Sequence, residues 1–314
     1  MRSRAFYRYS IALLGFNLAV IAWGAFVRAT GSGAGCGEHW PMCNGVALPR
    51  SPSVATVIEL THRVTSGLAL LGVLLLGGWA FRLFPRGHLA RRAAAFSVLF
   101  ILTEAAIGAG LVLFKLVAHN PSMVRAAAMS LHLVNTFLLL GALTLTSFAA
   151  RDEQLIRWRG AGRVAPLLWG ALFAVLALGA SGAIAALGDT LYPSASLAEG
   201  LAQDFSPSGL APVTLLSRLR VAHPFLALGT AVYLTFVAIA VCALKPEAGV
   251  RRSAYALVGI TVLQLFFGMV NLALLAPVWA QLIHLGLADA VWVALILFCA
   301  QACSEGMIEL RAHR

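Results

Sequence analysis

Long apolar runs, broken by short polar or basic stretches, set the pattern of this chain. Eight such runs stand out, at roughly 10–28, 54–80, 93–116, 125–149, 165–187, 213–243, 253–275 and 278–302. Each approaches or exceeds the roughly 20 residues a helix needs to cross the hydrocarbon layer of a bilayer. The runs are continuous rather than alternating at every second residue, so they predict helices and exclude a transmembrane β-barrel. The expected fold is therefore an all-α integral membrane protein of eight spans. The first run follows a basic start, but it is long and no small-x-small site follows it before Arg28, so it reads as a retained span rather than a cleaved leader. Two connections on one side are long. Residues 29–53 are rich in glycine and carry two cysteines, and 188–212 carry Asp189, Glu199 and Asp204. Within the latter, Ser194–Phe205 reads either as a short interfacial helix or as a plain polar connection.

Composition sharpens this picture. Of 314 residues, 60% are hydrophobic and only 11% charged, with a mean hydropathy of +0.87. A soluble domain carries about 25% charge. The net charge of +11 reflects orientation in the membrane rather than a nucleic-acid partner, for which little soluble surface exists. Arg2, Arg4 and Arg8 precede the first span; Arg82, Arg86, Arg91 and Arg92 follow the second. Arg151, Arg157, Arg159 and Arg163 follow the fourth, Lys245, Arg251 and Arg252 the sixth, and Arg311 and Arg314 the eighth. That places 16 of the 23 basic residues on the side of the termini. The positive-inside rule then predicts both termini in the cytoplasm of a multi-pass protein of the cell membrane.

The two halves of the sequence resemble each other. Glu104 and Gly108 match Gln264 and Gly268, and His62 matches His223. Leu131-His132-Leu133 matches Ile283-His284-Leu285, and Trp23-Gly24-Ala25 loosely matches Leu178-Gly179-Ala180. Two pseudo-repeated four-helix bundles are expected, an N-terminal half at 1–150 and a C-terminal half at 151–314.

Four of the eight histidines fall in spans: His62, His132, His223 and His284. Polar groups inside a membrane are costly and mark function by default. Each lies near the outer end of its helix, and each half holds one pair. Two histidines on facing helices can ligate a haem iron from both sides, so two haem sites are expected. The alternatives are hydrogen bonds to neighbouring helices, or zinc or copper, against which stands the lack of carboxylates and cysteines converging on both pairs. His39, His88, His119 and His313 read as loop residues.

Glu59 precedes His62 by three positions and so shares its helix face. A carboxylate there serves as a base or stabilises positive charge, or else it pairs with Arg63. The matching position before His223 is Arg220, which makes the halves unequal and suggests one reactive and one supporting site. Arg28, Arg63, Arg125, Arg218 and Arg220 lie at the outer boundary against the charge trend, as partners for haem propionates or for lipid phosphates. Glu104 and Asp289 are carboxyls inside spans, suited to a helix contact or a proton path. Cys36 and Cys43 face the oxidising side. They suit a disulfide worth about 2.5 kcal/mol by the chain-entropy argument, a redox role, or a metal site with His39. Cys242, Cys299 and Cys303 read as packing residues.

The Gly31-Ser32-Gly33 run, Cys36-x6-Cys43, Glu59-x-x-His62-Arg63 and the later His132, His223 and His284 together resemble the haem A synthase family over nearly the whole chain. The resemblance implies a membrane enzyme that oxidises the C8 methyl of haem O to a formyl group through hydroxylated intermediates, with oxygen from water, for cytochrome oxidase assembly. It implies that His62 and His132 flank the substrate haem, that His223 and His284 ligate a haem b cofactor, and that Glu59 is the catalytic carboxylate. The Cys36–Cys43 pair is implicated in haem transfer or redox support. A haem O synthase (protohaem farnesyltransferase) is the implied donor, membrane lipid the surroundings, and a homo-oligomer is left open. Residues 188–212 lack the second cysteine pair of some members, and Pro224 is expected to kink the sixth span and shift the basic partner to Arg220. The competing readings are a di-haem electron-transfer protein and a haem carrier without chemistry.

Overall fold

The computed structural model describes residues 2–118, 120–151, 155–156, 162–205 and 212–305, with backbone only at 2, 155–156, 201, 203–205, 212–219 and 305. Its long helices are α1 (Arg2–Ala29), α2 (Val54–Leu83), α3 (Leu89–Leu113), α4 (Met123–Arg151), α5 (Val164–Leu191), α7 (Pro212–Leu244), α8 (Ala248–Ala273) and α9 (Val278–Ala302), with a short α6 (Leu197–Phe205) before α7. Eight of these are long and apolar enough to cross a membrane, the stretch within α7 being Arg220–Leu244. Helix is the necessary outcome for such runs, because in hydrocarbon each backbone N–H and C=O must find its partner within the segment. Two-residue strands β1 (Leu155–Ile156) and β2 (Ser304–Glu305) pair antiparallel. They bring the α4–α5 connection beside the end of α9, as an even number of spans requires.

Local chemistry sets the helix ends. Ser53 Oγ accepts from Thr56 N to start α2, and His88 Nδ1 accepts from Ala90 N to start α3. At α6, Ser196 Oγ accepts from Glu199 N, while Glu199 Oε2 accepts from Ala195 N, an arrangement like a capping box. Of the two readings of 188–212, a short helix is therefore the observed one. Helices α3 and α8 stop in the same way. Leu116 N donates to Leu111 O and Lys115 N to Val112 O; 160 residues on, Ala276 N donates to Asn271 O and Leu275 N to Leu272 O. Both are Schellman turns, with Lys115 (φ 57°) and Leu275 (φ 60°) in the left-handed position usually held by glycine. Helix α7 runs through Pro224 without interruption.

Two large cores organise the spans among the described residues. One lies among α1–α4, around Phe6, Val73, Leu76, Ala94, Ile101, Leu139 and Leu143. The larger one joins α4 to α5, α7, α8 and α9, around Phe137, Leu168, Leu234, Leu257, Trp292, Leu295 and Phe298. Helix α4 belongs to both and is the most enclosed span. Phe137 and Trp292 stack across the seam with ring centroids 5.4 Å apart, and Trp292 Nε1 donates to Phe137 O. The opposite faces carry exposed Leu71, Leu75, Phe96, Phe173, Phe225 and Phe266, the outward apolar surface that lipid covers.

Candidate functional site

The four histidines of the spans share one packing arrangement. Each ring lies over a glycine of the preceding spanning helix. A Cβ placed on Gly24 (α1) would stand 2.8 Å from His62 Cε1 (α2), and one on Gly182 (α5) 3.1 Å from His223 Cε1 (α7). On Gly268 (α8) it would stand 3.0 Å from His284 Cε1 (α9), and on Gly108 (α3) 3.8 Å from His132 Cε1 (α4). Small residues let membrane helices approach closely; here they make room for a ring. His62 (α2) and His132 (α4) stand in the first four spans, and His223 (α7) and His284 (α9) in the last four. All four are half-buried. Nδ1 of His62, His132 and His284 is buried without an aligned hydrogen-bond partner, whereas His223 Nδ1 lies 2.9 Å from Ser181 Oγ. The matched glycines are thus Gly24 and Gly182. Gly179, its counterpart by sequence, packs against Phe137 instead. The Gly-His pairs and Ser181 were missed in the sequence, although a glycine recurring about 160 residues apart was a visible signal.

Glu59 and Arg63 are committed to the outer loop. Glu59 is buried, at 4% exposure, and both carboxylate oxygens are taken. Oε1 accepts from Arg63 Nε at 3.0 Å and Nη2 at 2.5 Å, while Oε2 accepts from Cys36 N at 2.8 Å. Arg63 Nη1 also donates to His39 O, Pro41 O and Met42 O, at 2.6, 3.4 and 2.8 Å. Cys36 and Cys43 form a disulfide, so their sulfurs are not available for a metal site with His39. The loop they close is bolted to α2 through this ion pair. Gly35 permits the seat: a Cβ there would fall 2.4 Å from Ala55 O.

The boundary arginines have protein partners. Arg28 Nη1 donates to Ala186 O and Thr190 Oγ1 and its Nη2 to Gln281 Oε1, each at 2.8 Å, so α1 is tied to α5 and α9 across the seam. Arg125 Nη1 donates to Ala118 O at 2.5 Å and Asn120 O at 3.1 Å, holding the α3–α4 connection. Arg220 Nη1 lies 3.3 Å from Asp189 Oδ1 and 3.4 Å from Tyr192 O. The side chain of Arg218 lies outside the described residues, as do His119 and His313. Glu104 on α3 accepts from Asn135 Nδ2 and Thr136 Oγ1 of α4, both at 2.5 Å. Asp289 is buried in α9, and its Oδ1 has no hydrogen-bond partner.

These donors suit one kind of metal. Among the described residues, no three His, Cys, Asp or Glu side chains converge as a bare ion would require. Paired imidazoles with uncommitted ring nitrogens, set in an apolar wall, instead fit an iron whose other ligands come with a macrocycle. The chain's residues thus fit haem in both halves.

Comparison with known proteins gives the same direction. The sequence matches the family described as cytochrome oxidase assembly protein (COX15-CtaA) over residues 7–296. Proteins named Protoheme IX farnesyltransferase from two strains of Thermus thermophilus are 46% identical over 298 residues, which is 95% of this chain and 48% of theirs. The chain thus spans about half the length of those relatives. Proteins named Heme A synthase are 38% identical over 97 residues in Alkalihalophilus pseudofirmus (31% of this chain, 33% of that one) and 41% over 95 in Halalkalibacterium halodurans (30% and 32%). With the match running through all eight spans and all four histidines, the chain belongs to the COX15-CtaA family of cytochrome oxidase assembly proteins.

Proposed function

We propose that this protein is a haem A synthase, oxidising the C8 methyl group of haem O to a formyl group with oxygen from water. The observation that carries this reading is the doubled Gly-His packing: two pairs of imidazoles, one pair per half, each ring over a helix glycine. In this reading His62 and His132 hold the substrate haem O, and His223 and His284 hold haem b. Haem b bound there supplies one-electron redox chemistry. The remaining work falls to the chain. The half-buried histidines fix the two macrocycles, and the apolar walls keep bulk water out. The unequal electrostatics, with Glu59 in one half and Arg220 at the matching position of the other, support one reactive and one supporting site.

Each two-electron step from methyl to alcohol to aldehyde releases two protons, and Glu59 is the carboxylate nearest in sequence to the substrate histidines. Its Oε1 accepts twice from Arg63 and its Oε2 once from Cys36 N, which leaves Oε2 one lone pair with which to take a proton from water. Oε2 is also the less restrained oxygen, since its partner is a backbone N–H rather than the guanidinium that grips Oε1 twice. The arginines at the outer boundary remain candidates for propionates only through donors not already spent on the protein.

A protein that makes haem O by farnesyl transfer is the natural supplier. The Thermus relatives, named for farnesyl transfer and twice as long as this chain, support that pairing. The charge distribution supports a cell-membrane protein with cytoplasmic termini. The test is expression with and without a haem O synthase, followed by haem extraction and mass analysis. Haem A or its hydroxylated precursor should appear only when both are present. Folded protein that yields haem b and unaltered haem O alone refutes the enzyme and leaves an electron carrier or haem carrier.

A further inference from the structure

The two halves differ beside their fourth-span histidines. In the N-terminal half, His132 Nδ1 lies 3.3 Å from Glu104 Oε1, close but off the N–H axis. The carboxylate does not hang free. Thr136 Oγ1 donates to Oε1 and Asn135 Nδ2 to Oε2, both at 2.5 Å. Asn135 is itself fixed, its Oδ1 accepting from Thr103 Oγ1 at 2.6 Å and its Nδ2 donating also to Phe100 O at 2.9 Å. Both Asn135 and Thr136 are buried. In the C-terminal half the matching positions of Thr103, Glu104, Asn135 and Thr136 are Leu263, Gln264, Leu287 and Ala288. The polar cradle is absent there, and a neutral amide stands 3.5 Å from His284 Nε2.

Tying α3 to α4 does not account for this. The C-terminal half packs α8 against α9 while carrying Leu263, Leu287 and Ala288 where the N-terminal half has Thr103, Asn135 and Thr136, and keeps only the neutral Gln264 amide near its histidine. Two buried polar side chains of one membrane span, Asn135 and Thr136, both donating to one carboxylate, carry a cost that calls for a function. A histidine ligand whose second nitrogen donates to a carboxylate is fixed in tautomer and orientation and becomes a stronger donor to its metal.

We propose that Glu104 is the positioning residue of the N-terminal site: its carboxylate, clamped by Asn135 and Thr136, receives Nδ1–H of His132 and leaves Nε2 as the ligating atom. The proposal rests on the reading that His132 binds a haem. It makes the two haem sites electronically unequal, with the stronger axial donor on the substrate side.

The experiment uses the full chain in detergent, ferric haem b as the probe, optical titration for affinity and redox titration with low-spin electron paramagnetic resonance for the iron's axial field. Glu104→Gln keeps the side-chain shape. It should weaken binding at the N-terminal site about tenfold or more, raise the midpoint potential there and shift its resonance, while the His223/His284 site keeps its spectrum. Thr136→Ala, which copies Ala288, should move the same readouts in the same direction by less, and serves if the first variant folds poorly. A merely structural role would leave potential and resonance in place for whatever haem binds. Unchanged affinity, potential and resonance in both variants overturn the proposal, and if His132→Ala still abolishes binding, the haem reading stands without it. If His132→Ala also leaves haem binding intact, the haem reading falls and this proposal with it.

Discussion

Replacing Gly24 by alanine should injure the N-terminal haem site without injuring the fold. The added Cβ would stand 2.8 Å from His62 Cε1 and 3.1 Å from Nε2. Carbon atoms rest comfortably at about 3.5 Å or more, so the ring must withdraw by roughly 0.7 Å. That exceeds the roughly 0.5 Å within which a binding constellation works. The expected loss in affinity for ferric haem b is about 10- to 100-fold, or about 1.4–2.7 kcal/mol. The helix itself gains, because alanine is favoured over glycine by about 1 kcal/mol. Thermal unfolding before haem addition should therefore show no loss of stability. Gly108→Ala is the internal control, since its Cβ would sit 3.8 Å from His132 Cε1, an ordinary contact. Gly268→Ala and Gly182→Ala, at 3.0 and 3.1 Å from His284 and His223, should fall between and act on the C-terminal site. Optical titration with ferric haem b reads all four. Equal affinities in Gly24→Ala and the unaltered chain, or losses as large in Gly108→Ala, would refute the reasoning.

Glu59→Ala should strip haem A formation while leaving haem at His223 and His284. It should also destabilise by about 3–5 kcal/mol, because Arg63 loses a buried partner; product analysis and thermal unfolding test the two parts. His223→Ala should remove haem b and leave Glu59 and the outer loop in place, so unchanged haem content would overturn the assignment of the halves. Cys36→Ser with Cys43→Ser should cost about 2.5 kcal/mol of loop order. The loop should nevertheless resist proteolysis better than after Arg63→Ala, which releases three carbonyls as well as Glu59. Arg28→Ala should loosen the seam, freeing Thr190 and Gln281, and faster hydrogen exchange at the outer ends of α5 and α9 measures it.

Much of the architecture was legible in one dimension, for a simple reason. In a membrane the solvent dictates both element and length, so eight apolar runs become eight helices whatever their neighbours. Spans such as 54–80 and 278–302 needed extension by at most a few residues, and α1 began earlier because Arg2, Arg4 and Arg8 are helix formers outside the apolar run. Paired in-span histidines were equally visible, since a polar group there is costly enough to announce itself. What stayed hidden depends on contacts between helices. Glu59 shares a face with His62 in sequence, yet its oxygens belong to Arg63 and the backbone of Cys36, because the disulfide loop folds back over α2. Arg28 read as a partner for propionates or lipid phosphates, and its guanidinium ties α1 to α5 and α9. Gly24 matched Gly179 by its neighbours, but helix packing pairs it with Gly182, which alone lies under the equivalent ring. The Thr103–Asn135–Glu104–Thr136 cradle spans two helices whose register no periodicity reports. Solvent sets the spans; only side chains meeting across them decide which polar groups are spent on structure and which remain for chemistry.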